Sequence, residues 1–153
     1  MAGQWRAEFK PGERSLRDLI ADIFTLEAKY RRDAIAFLRK HASTSDKHTA
    51  CIMWRLDGTC NRSTAGGRHD VSNLRTAHGV FLGKDTVCAE ESFLVKHGTK
   101  GWVASVSYDL KRGWKPACRN GCQTLLQTLN ITDLAEWLSE VARFNGVKNW
   151  SSV

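Results

Sequence analysis

Three cysteines of this sequence have the residue type and spacing of zinc ligands: Cys88, Cys118 and Cys122. Thiolate sulfur is a preferred zinc ligand, and cysteines four residues apart share one face if their segment is helical. Three protein ligands would leave the fourth tetrahedral position open for water, which is the catalytic arrangement. The alternatives are a structural zinc site and unrelated buried thiols.

A carboxylate accompanies the first of these cysteines, because Glu90 follows Cys88 by two residues. A carboxylate beside zinc-activated water can take a proton from the water and deliver it to a leaving amine. The pattern therefore favours hydrolysis, with Glu90 as the catalytic proton shuttle. The next residue, Glu91, is predicted to be a solvated helix residue.

The two cysteine segments resemble the metal motifs of the cytidine deaminase-like superfamily, which read His/Cys-x-Glu and Pro-Cys-x-x-Cys. Residues 88–90 and 116–122 here read Cys-Ala-Glu and Pro-Ala-Cys-Arg-Asn-Gly-Cys, so the second motif carries two extra residues. Size and basic character resemble the bacterial polymorphic-toxin deaminases. The resemblance covers nearly the whole chain. It implies a three-layer α/β/α fold around a central mixed sheet, as one deaminase domain over residues 1–153.

This resemblance implies that Cys88, Cys118 and Cys122 hold Zn²⁺ while Glu90 moves protons in the hydrolytic deamination of a nucleobase. Cytosine in DNA or RNA is the expected substrate, with adenine second. Single strands are favoured, because a base in a duplex must first be flipped out. The alternatives are a free nucleoside or nucleotide deaminase, a non-catalytic nucleic-acid-binding module with structural zinc, and a thiol enzyme using Cys88. A toxin would also need an immunity protein.

Five residues are predicted to contact the substrate: Asn61, Ala89, Arg112, Trp114 and Lys115. Asn61 begins a stretch that is similar to the segment before the metal motif of tRNA adenosine deaminases, where an Asn contacts the nucleoside. The same similarity makes His78 an alternative first ligand, although no Glu follows it two residues later. Trp114 lies among cations, and two interpretations stay open: it stacks on a base, or it anchors a packed loop.

Hydrophobic periodicity predicts the elements that must position these residues. The first helix is predicted over residues 15–40, with Ser15 as its N-cap, and two more are predicted over 86–97 and 117–129. A last helix is predicted from a cap at Asn130 or Thr132 to residue 144, and Gly146 ends it. Strands are predicted over 48–57, within 74–82, and over 102–108 as a buried central strand, with polar loops over 59–75 and 111–116. Both cysteine segments then begin helices, whose N-termini meet in a common crevice.

The remaining cysteines and tryptophans have simpler interpretations. Cys51 lies in an apolar strand and is predicted to be a small buried residue, whereas Cys60 lies in a polar loop without a specific role. Trp54, Trp102 and Trp137 are predicted to lie in the core.

Composition limits the class of protein. The chain has 153 residues, 42% of them hydrophobic and 25% charged, which is typical of one folded domain. A net charge of +7 favours a polyanionic partner such as nucleic acid, or simply a solvated surface. Five cysteines without a disulfide-type spacing, no signal core and no membrane-length apolar run predict a cytoplasmic protein without a membrane partner. A toxin domain would reach the cytoplasm of a target cell by delivery.

Overall fold

The computed structural model describes residues 15–41, 48–65, 71–79, 87–119 and 121–147. Six helices and five strands lie in these residues. The helices are α1 (Leu16–Thr25), α2 (Glu27–His41), α3 (Ser72–Ala77), α4 (Ala89–His97), α5 (Cys122–Thr128) and α6 (Ala135–Phe144). The strands are β1 (Thr49–Arg55), β2 (Cys60–Thr64), β3 (Trp102–Asp109), β4 (Gly113–Lys115) and β5 (Thr132–Asp133).

The sheet is mixed, in the order β2-β1-β3-β4, and β5 pairs with β3 in parallel. The other pairs are antiparallel, and Ile52 lies opposite Val106 in the central β1–β3 pair. Almost every residue of β1 and β3 is buried, because helices cover both faces of these strands. The predicted strands over 48–57 and 102–108 are therefore confirmed, and β3 is central, as predicted.

Alternate residues of the central strands enter two separate cores. Ile52, Trp54 and Val106 pack with α1, α2 and α6 on one face of the sheet. Cys51 and Met53 pack with α3, α4 and α5 on the other face. The described part of the chain is thus an α/β structure with helices on both sides of a mixed sheet. No helix within it has the length and apolar character needed to cross a bilayer.

The N-terminal helical region is divided. Ser15 caps α1 as predicted, since its Oγ accepts the Asp18 N–H at 2.9 Å. The prediction of one helix over residues 15–40 is wrong, because Leu26 leaves helical geometry between α1 and α2. Glu27 begins α2 and binds distant side chains, a tertiary contact that apolar periodicity does not encode.

A second prediction is wrong in the segment after β1. The partner strand is β2, inside the predicted polar loop over 59–75, whereas Ser72–Ala77 forms α3 instead of part of a strand within 74–82. Residues 80–82 of that predicted strand lie outside the described residues. β2 is an edge strand with Asn61 and Arg62 exposed, so its sequence needs little apolar pattern.

Two short strands lie where loops or caps were predicted. β4 lies in the predicted loop over 111–116, after a turn in which Asp109 accepts the N–H groups of Lys111 at 2.8 Å and Arg112 at 3.1 Å. Gly113 ends this turn with φ 76°, which favours glycine. β5 lies where the cap of the last helix was predicted, and α5 begins at Cys122 rather than at 117.

The simpler residue predictions hold with two exceptions, the first of which is that Cys60 begins strand β2 instead of lying in a polar loop. Cys51 is fully buried, and Trp54 and Trp102 lie in the core. Trp137 does not, since its side chain is 48% exposed. The buried residues of α6 recur as Ala135, Leu138 and Ala142, and Trp137 lies off that stripe.

Candidate metal centre

The sulfur atoms of Cys88, Cys118 and Cys122 come together. All three lie within 4.8 Å of one another, and the Cys88 and Cys118 sulfurs are 3.7 Å apart. A tetrahedral zinc ion with Zn–S bonds of about 2.3 Å holds its sulfur ligands about 3.8 Å apart. All three cysteines are thiols and take part in no disulfide. The donor set and its spacing therefore fit a thiolate-binding metal ion.

Two segments on one face of the sheet supply these thiols. Cys88 is the N-cap of α4, and Cys122 is the first residue of α5. Cys118 lies before α5 in the turn that follows β4, so the prediction that Cys118 and Cys122 share one helical face is wrong. The Gln123 N–H donates to the Cys118 carbonyl at 3.1 Å and closes this turn. A turn rather than a helical surface thus brings the second and third sulfurs together.

Glu91 anchors the Cys88 segment. Its side chain is fully buried, so the prediction of a solvated residue is wrong. The carboxylate accepts the Cys88 backbone N–H at 3.1 Å and pairs with Arg75 at 2.6 Å. Glu three residues after the N-cap is the capping-box position, and this signal was available in the sequence.

Asp133 anchors the Cys118 turn and was not predicted. One carboxylate oxygen accepts the Ala117 N–H at 2.9 Å, and the other accepts the Ala135 N–H at 3.0 Å. Gln123 adds a side-chain hydrogen bond to the Ala117 carbonyl at 3.0 Å. Burial raises the pKa of Asp133, and the two backbone N–H groups oppose that rise. The bond to Ala135 is local, at the start of α6, but the bond that holds the Cys118 turn spans 16 residues and has no local sequence pattern.

Glu90 lies buried beside the thiols, with 4% of its surface exposed. Burial raises its pKa from 4.5 to about 7, and the negative charges of Cys88 and Asp133 add to the effect, whereas Lys115 opposes it. A carboxyl group with this pKa exchanges a proton readily near neutral pH.

The Cys122 thiol resists ionisation in the metal-free protein. A hydrogen bond with Cys88, then burial, then the charge of Glu90 raise the pKa of Cys122. A bound cation would offset this accumulation of negative charge.

Cys51 is a fourth sulfur close to the site, but it belongs to the sheet. Its Sγ lies 3.5 Å from Ser105 Oγ on the neighbouring strand. Burial, and then the charge of Glu90, raise the pKa of Cys51. Cys51 lies outside the group of three convergent thiols.

Models of known protein families and curated protein sequences were compared with this chain, and none of them matches it. Interpretation of the site depends on its own geometry and chemistry.

The predicted substrate contacts occupy different environments. Ala89 is buried directly after Cys88, and Lys115 is half-buried and close enough to affect Glu90. Arg112 is exposed in the turn before β4. Asn61 is exposed on edge strand β2, where it pairs with Met53.

Trp114 is turned away from the metal centre. It is 3% exposed in the core that faces α1, α2 and α6, and its indole N–H donates to Glu27 at 2.8 Å. Of its two interpretations, the packed anchor is therefore correct and base stacking is wrong. His78 follows α3 and is not among the three convergent ligands of the described residues, which favours Cys88 as the first ligand.

A groove of about 560 Å³ opens beside the Cys118 turn, between α5 and α6. Pro116, Gln123 and Asp133 line it from the side of the metal centre, and Trp137 lines it from α6. Trp137, rather than Trp114, is thus an exposed aromatic side chain close to this segment.

Proposed function

We propose that this protein is a zinc-dependent hydrolase that deaminates a nucleobase, with cytosine as the preferred base. One juxtaposition carries the proposal: three thiols within 4.8 Å of one another, with the buried carboxyl group of Glu90 beside them. Three ligands leave one coordination position open for a reactant, as in catalytic rather than structural zinc sites.

Cys88, Cys118 and Cys122 would hold the zinc ion. A bound zinc ion supplies Lewis acidity, which makes water a nucleophile at neutral pH. Glu91 and Asp133 hold the two thiol-bearing segments through the Cys88 and Ala117 N–H groups.

Glu90 is the proton carrier in this proposal. Its carboxylate oxygen takes a proton from the attacking water and delivers it to the ring nitrogen of the base. It then carries the proton of the newly added hydroxyl group to the amine, and the C–N bond breaks to release ammonia. The balanced reaction converts cytosine and water to uracil and ammonia. Burial raises the pKa of Glu90 toward neutrality in the metal-free protein, and a carboxyl group in such an environment can both accept and release a proton near neutral pH.

We also propose that the fold is cytidine deaminase-like, as a refinement of the α/β class. The β1–β2 hairpin precedes α4, which begins at the Cys-Ala-Glu segment, and the second cysteine segment follows β3 and β4. The two extra residues in the second motif are a departure from the family pattern.

A polyanionic substrate is favoured over a free nucleoside. Four cations lie in the nine residues 111–119, which include Cys118: Lys111, Arg112, Lys115 and Arg119. Arg112 and Arg119 are exposed, so they are accessible to phosphate groups. Single-stranded DNA or RNA is the expected form, because its bases need no flipping out of a duplex.

The decisive experiment incubates the zinc-loaded protein with single- and double-stranded DNA, RNA and free nucleosides, and detects uracil by sequencing and mass analysis. We expect C-to-U conversion that a chelator abolishes and that Glu90→Gln reduces at least about 10²-fold with zinc retained. Absence of deamination from protein that carries one zinc per chain would refute the proposed activity.

Two single-cysteine variants test the assignment of the metal ligands. Cys88→Ser should lower zinc affinity, because it removes a thiolate from the group of three. Cys60→Ser is the matched control, since Cys60 is a half-buried free thiol outside that group. Equal zinc content and affinity in the two variants would contradict the assignment.

A further inference from the structure

Arg75 and Glu91 form an ion pair at the edge of the metal centre. Arg75 Nε donates to Glu91 Oε2 at 2.6 Å and Arg75 Nη2 donates to Oε1 at 3.0 Å, so the contact is bidentate. The Glu91 side chain is fully buried, and that of Arg75 is 21% exposed. A buried carboxylate is stable in the protein interior only when a group of opposite charge is paired with it.

The same carboxylate holds the backbone of a proposed metal ligand. Glu91 Oε1 accepts both Arg75 Nη2 and the backbone N–H of Cys88, the latter at 3.1 Å. Cys88 is the N-cap of α4, so this bond fixes the direction in which the chain enters the helix. The Cys88 sulfur is bonded directly to Cβ, so its position depends on the direction of the backbone at this residue.

The hydrogen bond to Glu91 is the largest cause that raises the pKa of Arg75, so the guanidinium stays charged as the partner of this carboxylate.

We propose that the Arg75–Glu91 pair is a positioning unit for the metal centre, in which Glu91 orients Cys88 and Arg75 holds Glu91 in place. The inference rests on the metal centre of the proposed function, and not on the identity of the reaction. Partners of this kind behind a metal ligand typically change metal affinity by about 10- to 100-fold.

Metal binding gives a direct test. Zinc affinity is measured by competition with a chromophoric chelator. Cobalt(II) binding is followed through its thiolate-to-metal charge-transfer absorption, which reports how many sulfurs coordinate. We expect Glu91→Gln and Arg75→Gln to weaken zinc binding about 10- to 100-fold and to reduce that absorption. Arg75→Lys keeps the charge but loses the bidentate contact, and should fall between these variants and the wild type.

Glu27→Gln is the matched control. Glu27 is also a fully buried carboxylate paired with an arginine, at 2.9 Å from Arg31, but it lies on the opposite side of the sheet. The Glu27→Gln substitution should lower thermal stability and leave the zinc affinity and the cobalt spectrum unchanged. Should Glu27→Gln weaken zinc binding as much as Glu91→Gln does, the effect would be general destabilisation and the inference would fail.

The outcomes separate this inference from the proposed activity. Wild-type protein that binds one zinc but deaminates nothing would refute the activity and leave the positioning role intact if the variants weaken binding. Arg75→Gln is a milder change than Glu91→Gln. If the folded Arg75→Gln protein had the zinc affinity and the cobalt spectrum of the wild type, the positioning role would be overturned. Wild-type protein that binds neither metal would overturn both.

Discussion

Glu90 and Glu91 are adjacent in sequence and have different roles because of what surrounds them. Successive helical residues project about 100° apart, so one carboxylate faces the thiols and the other faces Arg75. Glu91 accepts hydrogen bonds at both oxygens and is fixed in place. Burial raises the pKa of Glu90 to about 7 although the charge of Lys115 opposes the rise, and this makes Glu90 the residue suited to proton transfer.

The stability of the metal-free protein should reveal this burial. The folded pKa of Glu90 is raised from 4.5 to about 7, so ionisation opposes folding as the pH rises through that range. Glu90→Gln removes this penalty. We expect the variant to exceed the wild type in stability above pH 7, by up to about 3 kcal/mol, with the difference shrinking toward pH 4.5.

Urea unfolding of the metal-free proteins at several pH values measures the difference. Glu140→Gln is the control, because Glu140 is exposed on α6 and should show no such pH dependence. A difference between Glu90→Gln and wild type that is the same at pH 5 and pH 8 would contradict the buried-carboxyl explanation.

At the scale of elements, Glu27 connects three parts of the fold. Its carboxylate accepts Arg31 Nε at 2.9 Å, Trp114 Nε1 at 2.8 Å and Asn145 Nδ2 at 3.0 Å. These bonds join the start of α2 to β4 and to the end of α6. They account for the burial of Trp114, whose aromatic ring also packs edge-on against Tyr108 at 4.9 Å.

Removal of this carboxylate should destabilise the fold without affecting the metal centre. We expect Glu27→Ala to lower the free energy of unfolding by about 3 kcal/mol, because Arg31 loses its buried partner and the Trp114 N–H loses its acceptor. Trp114→Phe keeps most of the packing and should have a smaller effect, of about 1–3 kcal/mol. Chemical denaturation measures both, and an effect of Glu27→Ala below that of Trp114→Phe would contradict this account.

At the scale of the whole molecule, the distribution of cations matters more than the net charge of +7. One set of exposed cations lies in the segment 111–119, including Arg112 before β4 and Arg119 next to Cys118. A second set lies on α2, including Arg32, and α2 packs on the other face of the sheet. The proposed function assigns phosphate contacts to the first set.

Salt dependence should distinguish the two sets of cations. A plot of the logarithm of affinity for single-stranded DNA against the logarithm of salt concentration has a negative slope. Arg112→Ala and Arg119→Ala should each make that slope shallower by about 0.7. Arg32→Ala should leave it unchanged. Titrations at several salt concentrations measure the slopes, and a larger effect of Arg32→Ala would move the nucleic-acid surface to the α2 face.

The sequence by itself determined the features that depend on residue type and short-range pattern. The α/β class, the buried strands β1 and β3, the Ser15 cap and the three convergent cysteines all follow from local periodicity or donor chemistry. These signals survive in a single sequence because each one is repeated along a strand or concentrated in a short motif.

Only the tertiary structure decided which polar residues support the site. Glu91 is buried because Arg75 lies opposite it, and Trp114 is buried because Glu27, 87 residues away, accepts its indole N–H. Asp133 matters because the chain returns it beside Ala117. A buried polar group is stable only with its partner, and partners distant in sequence meet only when the sheet and helices have assembled.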